Sequence, residues 1–299
     1  MYSPPPKLKT PTSLSIPINA RFDDTAELIA ADAWTPYGTK EGDSIGVKLV
    51  WRVIAPTEKP YALSIYLVGP DGQPYGGMVT YPGYGKLATS VWQTGYIFDE
   101  TYWFPVSPTG PTPASGQIQV KLFNKKAKPR ELKVYDNRGH PLGDMALFGS
   151  IRIDSALPAP QIDSPTLATF GNVAELKRIH VLPEPQHPGG VLPIWLEWQA
   201  LGPGPADLIV SFQLWDAENK PVLGHDGPVS SVLKAEHWQD GDLLHTVRWL
   251  SLPDDLSPGA YKLVTTLYHG NDLTRLPATD AQGNPLPDNF YQLSEITIK

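Results

Sequence analysis

The chain contains one sequence pattern twice, in tandem. Ala20–Leu28 aligns with Ala168–Leu176 at an offset of 148 residues, and the offset falls to 144 where Asp136 aligns with Asp280. Three tryptophans recur between these blocks, in the pairs Trp51/Trp198, Trp92/Trp238 and Trp103/Trp249. A drift of four residues over the whole length indicates a duplication rather than chance. The fold must therefore be completed within about 140 residues and built twice.

Proline limits which fold this can be. The chain has 33 prolines in 299 residues, about twice the usual density of about 5%. Proline lacks the backbone N–H of a helix interior and collides with the preceding turn, whereas it is tolerated between strands. Alternating apolar and polar runs separated by Pro and Gly are typical of sandwiches. The sequence predicts an all-β fold of two tandem homologous β-sandwich domains, immunoglobulin-like or jelly-roll-like, because periodicity does not encode strand order.

The repeat limits and the proline clusters together predict the domain organisation. Residues 1–17 form an extended Pro-rich N-terminal arm, and residues 18–154 form repeat 1. Residues 155–165 form a Pro-rich linker, and residues 166–299 form repeat 2. Three prolines in the linker favour a short, fairly stiff extended segment.

Each repeat is predicted to hold seven or eight strands. The clearest predicted strands are Ser44–Ile54, Tyr61–Val68, Tyr96–Val106, Ile118–Phe123 and Leu147–Ile153 in repeat 1, and Val191–Gln199, Asp207–Trp215, Leu243–Leu252, Tyr261–Tyr268 and Tyr291–Ile298 in repeat 2. Asp71-Gly72 predicts a type I′ hairpin turn, because both central residues of that turn need positive φ.

Charge and composition exclude several classes of protein. The net charge is −7 and the chain has no basic run, so it lacks the clustered cations that nucleic-acid binding requires. There is no cysteine, which excludes disulfides and thiolate chemistry. No apolar run reaches the length of about 18 residues that spans a bilayer. The first residues, Met1–Lys7, have no apolar signal-peptide core, so the chain is either cytoplasmic or a segment of an exported protein.

The second repeat carries a distinctive series of motifs. It reads Phe170-Gly-Asn-Val-Ala-Glu-Leu176, Leu196-Glu-Trp198, His237-Trp238-Gln-Asp-Gly241-Asp242, Ser257-Pro258-Gly259-Ala-Tyr261, Arg275-Leu276-Pro277 and Gly283-Asn-Pro-Leu286. This series resembles the extracytoplasmic β-sandwich domain appended to bacterial membrane glycosyltransferases of the dolichyl-phosphate-mannose mannosyltransferase type. The resemblance covers nearly all of repeat 2 and, more loosely, repeat 1.

Repeat 1 departs from the pattern, with Ala114–Gln117 in place of the Pro-Gly-x-Tyr turn and a basic stretch, Lys125–Arg130, in place of Arg-Leu-Pro. The resemblance implies an accessory domain outside the cytoplasmic membrane, exported by a segment absent from this chain. It transfers no catalytic residue and implies no cofactor.

Residues present in both repeats are predicted to be scaffold. The three tryptophan pairs are expected to fill the cores or to cap their ends, with two equivalent sugar-stacking sites as the alternative. Asp136/Asp280 and Asp144/Asp288 are expected to cap their own turns, the alternative being calcium ligation.

No histidine pair has metal-ligand spacing, and no nucleophile elbow, P-loop or dinucleotide fingerprint occurs. The sequence therefore predicts no enzyme and no metal site.

Aromatic residues present in repeat 1 alone are the candidate binding residues. The segment from Tyr75 to Gly85 is rich in glycine and tyrosine, and two more tyrosines follow it. The candidates are Tyr75, Tyr81, Tyr84, Tyr96 and Tyr102. Exposed tyrosines suit stacking on sugar rings or insertion into a partner protein, whereas packing of the loop onto the sandwich is the alternative.

Two functions remain after these exclusions. The first is a non-catalytic, extracytoplasmic cell-surface module that contacts glycan or another envelope component. The alternative is a structural subunit of a surface layer or filament, whose N-terminal arm pairs with the sheet edge of another copy.

Overall fold

A computed structural model describes residues 16–36, 38–124, 126, 130–158, 163–182 and 185–299. Within these residues the chain forms nineteen β-strands and four short 3₁₀ turns, and no α-helix. The all-β prediction is confirmed. The chain divides into two compact units, Met1–Ala156 and Leu157–Lys299. Most of the predicted N-terminal arm, and Lys125 and residues 127–129 of the basic stretch, lie outside the described residues.

The first unit contains ten strands in two sheets. They are β1 (Ile16–Phe22), β2 (Ala26–Trp34), β3 (Ser44–Val53), β4 (Ala62–Val68), β5 (Pro74–Thr80), β6 (Ile97–Pro105), β7 (Ala114–Phe123), β8 (Val134–Tyr135), β9 (Pro141–Gly143) and β10 (Ala146–Ile153). One sheet has the order β6-β3-β2-β1-β8-β9 and the other the order β10-β7-β4-β5. Every pairing is antiparallel.

The second unit contains nine strands in two sheets. They are β11 (Ala168–Phe170), β12 (Ala174–Val181), β13 (Val191–Ala200), β14 (Leu208–Trp215), β15 (Pro221–Gly227), β16 (Leu243–Ser251), β17 (Gly259–His269), β18 (Ala278–Asp280) and β19 (Tyr291–Ile298). The sheet orders are β16-β13-β12-β11-β18 and β15-β14-β17-β19. Except for β9, which has no counterpart among the strands of the second unit, these orders match those of the first unit, so the duplicated sequence forms the same sandwich twice.

Alternation along the strands builds each core. In β6, Phe98, Glu100, Tyr102 and Phe104 are buried, and the residues between them face outward. Successive side chains of a strand point to opposite faces of its sheet, so one face of β6 packs into the sandwich. Trp51, Phe22 and Leu63 lie in the first core, and their counterparts Trp198, Phe170 and Val210 lie in the second. Each unit thus has a hydrophobic core of its own.

The prediction of seven or eight strands per repeat was too low, since the two units contain ten and nine strands. The structure also differs from the predicted elements in three places. Ile16 and Pro17, which were predicted to belong to the arm, are the first residues of β1. They pair with Ala31 and Ala30 of β2. Strand β7 begins at Ala114 rather than Ile118, because residues 114–116 pair with Ile153, Arg152 and Ile151 of β10. Gly116 fits there because a Cβ would come within 2.6 Å of Leu67.

The third difference is the turn between β4 and β5. Of its two central residues only Gly72 has positive φ, so the turn is not of type I′. Gly69 N donates instead to Gln73 O at 2.9 Å. This bond closes a longer turn, which Asp71 stabilises by accepting a hydrogen bond from Gln73 N at 3.0 Å.

No helix among the described residues is long and apolar enough to cross a membrane.

Candidate functional site

The structure separates the five candidate tyrosines of repeat 1. Tyr75, on β5, and Tyr102, on β6, are fully buried in the core, so neither ring is available to a ligand at the surface. The Tyr75 hydroxyl donates to Pro111 O at 2.9 Å, and burial raises its pKa to about 12. Tyr96 is partly buried and donates to Gln93 Oε1 at 2.5 Å.

The two exposed candidates lie on one tight turn. Tyr81 is 47% exposed and Tyr84 is 53% exposed. We call residues 81–85 the tyrosine turn; it contains the 3₁₀ segment Pro82–Gly85. Gly83 and Tyr84 both have positive φ, 60° and 53°, a conformation that is uncommon for a bulky residue. The Tyr84 hydroxyl accepts a hydrogen bond from Trp103 N at 3.3 Å, so the turn lies against edge strand β6.

A buried carboxyl lies beneath the tyrosine turn. The carboxylate oxygen Oε2 of Glu100 accepts hydrogen bonds from Gly83 N and from the Tyr102 hydroxyl. The other oxygen, Oε1, is buried and has no hydrogen-bond partner in the described part of the chain, and the same holds for Trp51 Nε1. Burial raises the pKa of Glu100 to about 7, against the lowering effect of its two hydrogen bonds. Desolvation also raises the pKa of Tyr102 well above its usual range.

Repeat 2 has a neutral group at the same place. Thr246 pairs with Leu196 across β16 and β13, as Glu100 pairs with Leu49 across β6 and β3. The Thr246 hydroxyl accepts from Trp198 Nε1 at 3.0 Å and donates to Val229 O at 2.5 Å. Trp198 thus has the partner that Trp51 lacks, and at this buried position one unit has an ionisable group and the other a neutral one.

The recurrent tryptophans divide into two groups. Trp51, Trp198, Trp92 and Trp238 are buried in the cores, as predicted. The expectation of a core or capping role was wrong for Trp103 and Trp249, which are 46% and 66% exposed. Both lie on outward-facing positions of the edge strands β6 and β16. Trp103 and Trp249 therefore mark equivalent outer surfaces, one on each sandwich, rather than a layer of the core.

In repeat 2 this surface is a shallow apolar groove. Pro193 pairs with Trp249, and Trp195 pairs with both His180 and Val247. A groove of about 390 Å³ lies between side chains of three adjacent strands. We call this surface the tryptophan face; its lining residues are His180, Leu182, Pro193, Ile194, Trp195, Val247 and Trp249.

Polar groups border the tryptophan face at one end. The His245 ring stacks on the Trp195 ring with centroids 6.0 Å apart, and the His180 ring meets Trp195 edge-on at 6.2 Å. Arg178 Nη1 lies 3.1 Å from Glu197 Oε2, an ion-pair distance without hydrogen-bond geometry. The face thus combines an apolar aromatic floor with imidazole, carboxylate and guanidinium groups along its border.

The matching surface of repeat 1 has different chemistry. Trp34 packs edge-on against Trp103 with centroids 5.3 Å apart and covers Gly46, where a Cβ would come within 2.4 Å of the indole. Beside this pair, Lys48 forms an ion pair with Asp99 at 2.8 Å. In repeat 1, therefore, Trp103 packs edge-on against a second tryptophan, and a charged pair lies where repeat 2 has Trp195.

One pair of repeated aspartates, Asp136 and Asp280, acts within its own turns, whereas Asp144 forms an ion pair with Lys121 at 3.3 Å instead of capping a turn. Asp136 Oδ1 accepts from Arg138 N and His140 N, each at 2.8 Å. Asp280 Oδ1 accepts from Gln282 N and Asn284 N, each at 2.9 Å. The hydrogen bond from His140 N lowers the pKa of the Asp136 carboxyl, and those from the side-chain amide and then the backbone N–H of Asn284 lower the pKa of Asp280. The turn interpretation is confirmed for this pair. Among the described residues no group of His, Asp and Glu is arranged to hold a metal ion.

The sequence analysis did not identify Trp195, because repeat 1 has Lys48 and not a tryptophan at the matching position, so Trp195 is not part of the repeat pattern. The signal was present, since Trp195 is three residues before the buried Trp198 and falls on the opposite face of the same strand.

The chain matches no protein-family model and no curated protein. Among solved structures it is similar to the crystal structure of Bacteroides uniformis β-glucuronidase. The identity is 11% and the TM-score 0.26, over 80% of this chain and 26% of that chain. A similarity this weak supports no inference about function.

Proposed function

We propose that the chain is a non-catalytic, extracytoplasmic accessory module of the cell surface that contacts glycan, with the tryptophan face of repeat 2 as its main contact surface. One observation carries this proposal. Trp249 and Trp195 are 66% and 42% exposed side by side on neighbouring strands, although large aromatic side chains are normally buried. The resemblance of the sequence to accessory domains of envelope glycosyltransferases supports the same assignment.

The chemistry of the face suits a sugar ring. The faces of an indole ring are electron-rich, and one side of a pyranose presents polarised C–H groups. Stacking therefore brings complementary partial charges together while it removes apolar surface from water. Because Trp195 and Trp249 project from a paired sheet, their rings lose little freedom on binding. The apolar floor favours a neutral chain, and the exposed imidazoles of His180 and His245 are placed to form hydrogen bonds to its hydroxyls.

The tyrosine turn of repeat 1 provides a second contact surface. Tyr81 and Tyr84 are the two candidate tyrosines with half-exposed rings, and the hydrogen bonds of Gly83 and of the Tyr84 hydroxyl hold their backbone in one conformation. A preformed aromatic pair of this kind binds with a small entropic cost.

A non-catalytic role is supported by how the titratable groups are used. Asp136 and Asp280 cap turns, and Lys48–Asp99 and Arg178–Glu197 are ion pairs. Asp207 accepts from Asn271 N and lies 3.1 Å from the His269 ring, which again ties one loop to its neighbour. These contacts are structural, and none of them leaves a nucleophile beside a general base.

Binding to polysaccharide tests the proposal. Full-length protein is mixed with insoluble cell-envelope polysaccharide, and the bound fraction is measured; soluble oligosaccharide fragments are then titrated calorimetrically. We expect W249A and W195A each to weaken binding at least tenfold. Val222, half-exposed on strand β15 of the other sheet, provides the matched control, and V222A should bind as wild type. Equal binding by W249A and wild type, or no binding to any envelope glycan, would refute the proposal.

The same apolar face also supports the alternative function, a self-assembling structural subunit. An exposed apolar patch with a polar border is a common feature of protein–protein contacts. Light scattering over a wide concentration range separates the two functions. A mass that rises with concentration and returns to the monomer value in W249A would assign the face to contacts between copies.

A further inference from the structure

We propose that Glu100 is the positioning residue of the tyrosine turn, holding Gly83 and Tyr84 in place while its buried carboxyl is neutral and releasing them when it ionises. The inference concerns regulation of a contact surface assigned above, and its biological use rests on that proposed function. Its physical basis, however, is the geometry beneath the turn.

The turn needs an anchor. Tyr84 has a φ of 53°, and a bulky residue persists in this region only where its surroundings fix it. Local bonds close the turn from Gly85 N to Tyr81 O at 3.1 Å and from Leu87 N to Pro82 O at 3.0 Å. The bonds from Gly83 N to Glu100 and to the Tyr102 hydroxyl attach it to the sandwich. Glu100 is thus the ionisable end of this attachment.

The surroundings of Glu100 are poor for a negative charge. The ionisable groups that act on it are Tyr102, which donates a hydrogen bond, and Asp99 on the same strand, which repels the anion. On strand β3, Lys48 forms its ion pair with Asp99 on the outward face, while Glu100 faces inward. From the tyrosine turn, Tyr84 contributes a phenol whose ring packs on Tyr102 at 5.0 Å.

The direction of the effect follows from linkage. With the turn closed, burial raises the pKa of Glu100 from 4.5 to about 7; with the turn open, water reaches the carboxyl and its pKa returns towards 4.5. The closed form therefore binds the proton more tightly. It is fully favoured below pH 4.5, and each pH unit above that value shifts the equilibrium about tenfold towards the open form. The shift levels off above about pH 7, at roughly three hundredfold in total.

Repeat 2 contains a built-in control. Its segment matching the tyrosine turn, residues 228–233, lies beside Thr246, which donates to Val229 O. Since threonine does not titrate, that segment should keep the same opening equilibrium at every pH. Any pH effect specific to the tyrosine turn is therefore measured against a homologous segment of the same molecule.

Hydrogen exchange of the full chain, followed by mass spectrometry from pH 5 to pH 8, tests the inference. After correction for intrinsic exchange, protection of residues 83–87 should fall by up to about a hundredfold as pH rises. Protection of residues 228–233 should stay constant. In E100Q, which keeps an acceptor for Gly83 N but does not ionise, protection of the turn should not change with pH. If E100Q does not fold, E100T decides, because repeat 2 accommodates threonine at this position.

Constant protection of the wild-type turn from pH 5 to pH 8, or the same fall in E100Q and E100T, overturns the inference. Exchange is measured without glycan, so it decides the inference even if no glycan binds. If Y84A shows that the turn contributes to glycan binding, that contribution should weaken towards pH 8 in wild type and stay constant in E100Q. A contribution that does not change with pH in wild type would likewise overturn the inference.

Discussion

At the scale of single residues, the duplication provides a comparison that mutagenesis usually has to create. Trp51 and Trp198 occupy the same position in the two cores, beside Glu100 in one and Thr246 in the other. The single hydroxyl of Thr246 accepts a hydrogen bond from the Trp198 indole and donates one to the backbone carbonyl of Val229. Glutamate leaves Trp51 Nε1 and its own Oε1 without partners in the described chain, and it attaches the neighbouring turn instead. The core of repeat 1 therefore contains two buried polar atoms without hydrogen-bond partners in the described chain, and in the same unit Glu100 anchors the tyrosine turn.

The hydroxyl of Thr246 should contribute measurably to the stability of repeat 2. T246V keeps the shape of the side chain but leaves Trp198 Nε1 and Val229 O buried without their partner. Because an unsatisfied buried polar group costs about 1–3 kcal/mol, we expect the free energy of unfolding to fall by about 2 kcal/mol in urea titrations. T297V, at an exposed position of β19, is the control and should change it by less than about 0.5 kcal/mol. Similar losses in both variants would contradict a specific role for the hydroxyl.

At the scale of elements, one turn recurs around both sandwiches. Asp136, Asp216 and Asp280 each begin a five-residue turn in which the aspartate carboxylate accepts two backbone N–H groups. The fourth residue of each, Gly139, Asn219 or Gly283, has positive φ. The same local chemistry thus closes hairpins in both units.

A side chain at the fourth position of such a turn should cost stability through backbone strain alone. Gly283 has a φ of 82° and open space around the position of a Cβ, so G283A introduces no collision. Left-handed backbone costs an L-residue roughly 1 kcal/mol more than it costs glycine. We therefore expect a loss of about 1 kcal/mol in urea unfolding. Gly224, which has equal space and no positive φ, is the control, and a loss in G224A as large as in G283A would refute this explanation.

Patterning in the sequence was sufficient for the strands but not for the exposed sites. Alternation over Val191–Gln199 and Tyr291–Ile298 predicted β13 and β19 almost to the residue, because burial on one face dictates it. The sequence left open whether the candidate tyrosines are exposed or pack onto the sandwich; in the structure Tyr75 and Tyr102 face inward, and Tyr81 and Tyr84 are exposed. Local composition does not state which way a strand faces once the chain crosses between sheets. For the same reason, recurrence alone placed Trp249 in the core.

At the scale of the whole molecule, the important property is that each sandwich has its own core. The buried clusters of the two units share no residue: one extends from Ala20 to Ile153 and the other from Ala168 to Ile298. A unit of about 140 residues buries enough apolar surface to be stable alone. Different buried chemistry at positions 100 and 246, and different outer faces, are therefore compatible with one fold, since each unit meets its own stability requirement.

This independence predicts that residues 163–299 fold without repeat 1. We expect the fragment to unfold cooperatively in urea, with the T246V change of about 2 kcal/mol reproduced in it. A fragment ending at residue 290 is the control, because it lacks β19, whose Leu293, Ile296 and Ile298 lie in the second core. That shorter fragment should show no cooperative transition. If residues 163–299 behaved like the shorter fragment, the stability of repeat 2 would depend on repeat 1, and the two sandwiches would be one folding unit.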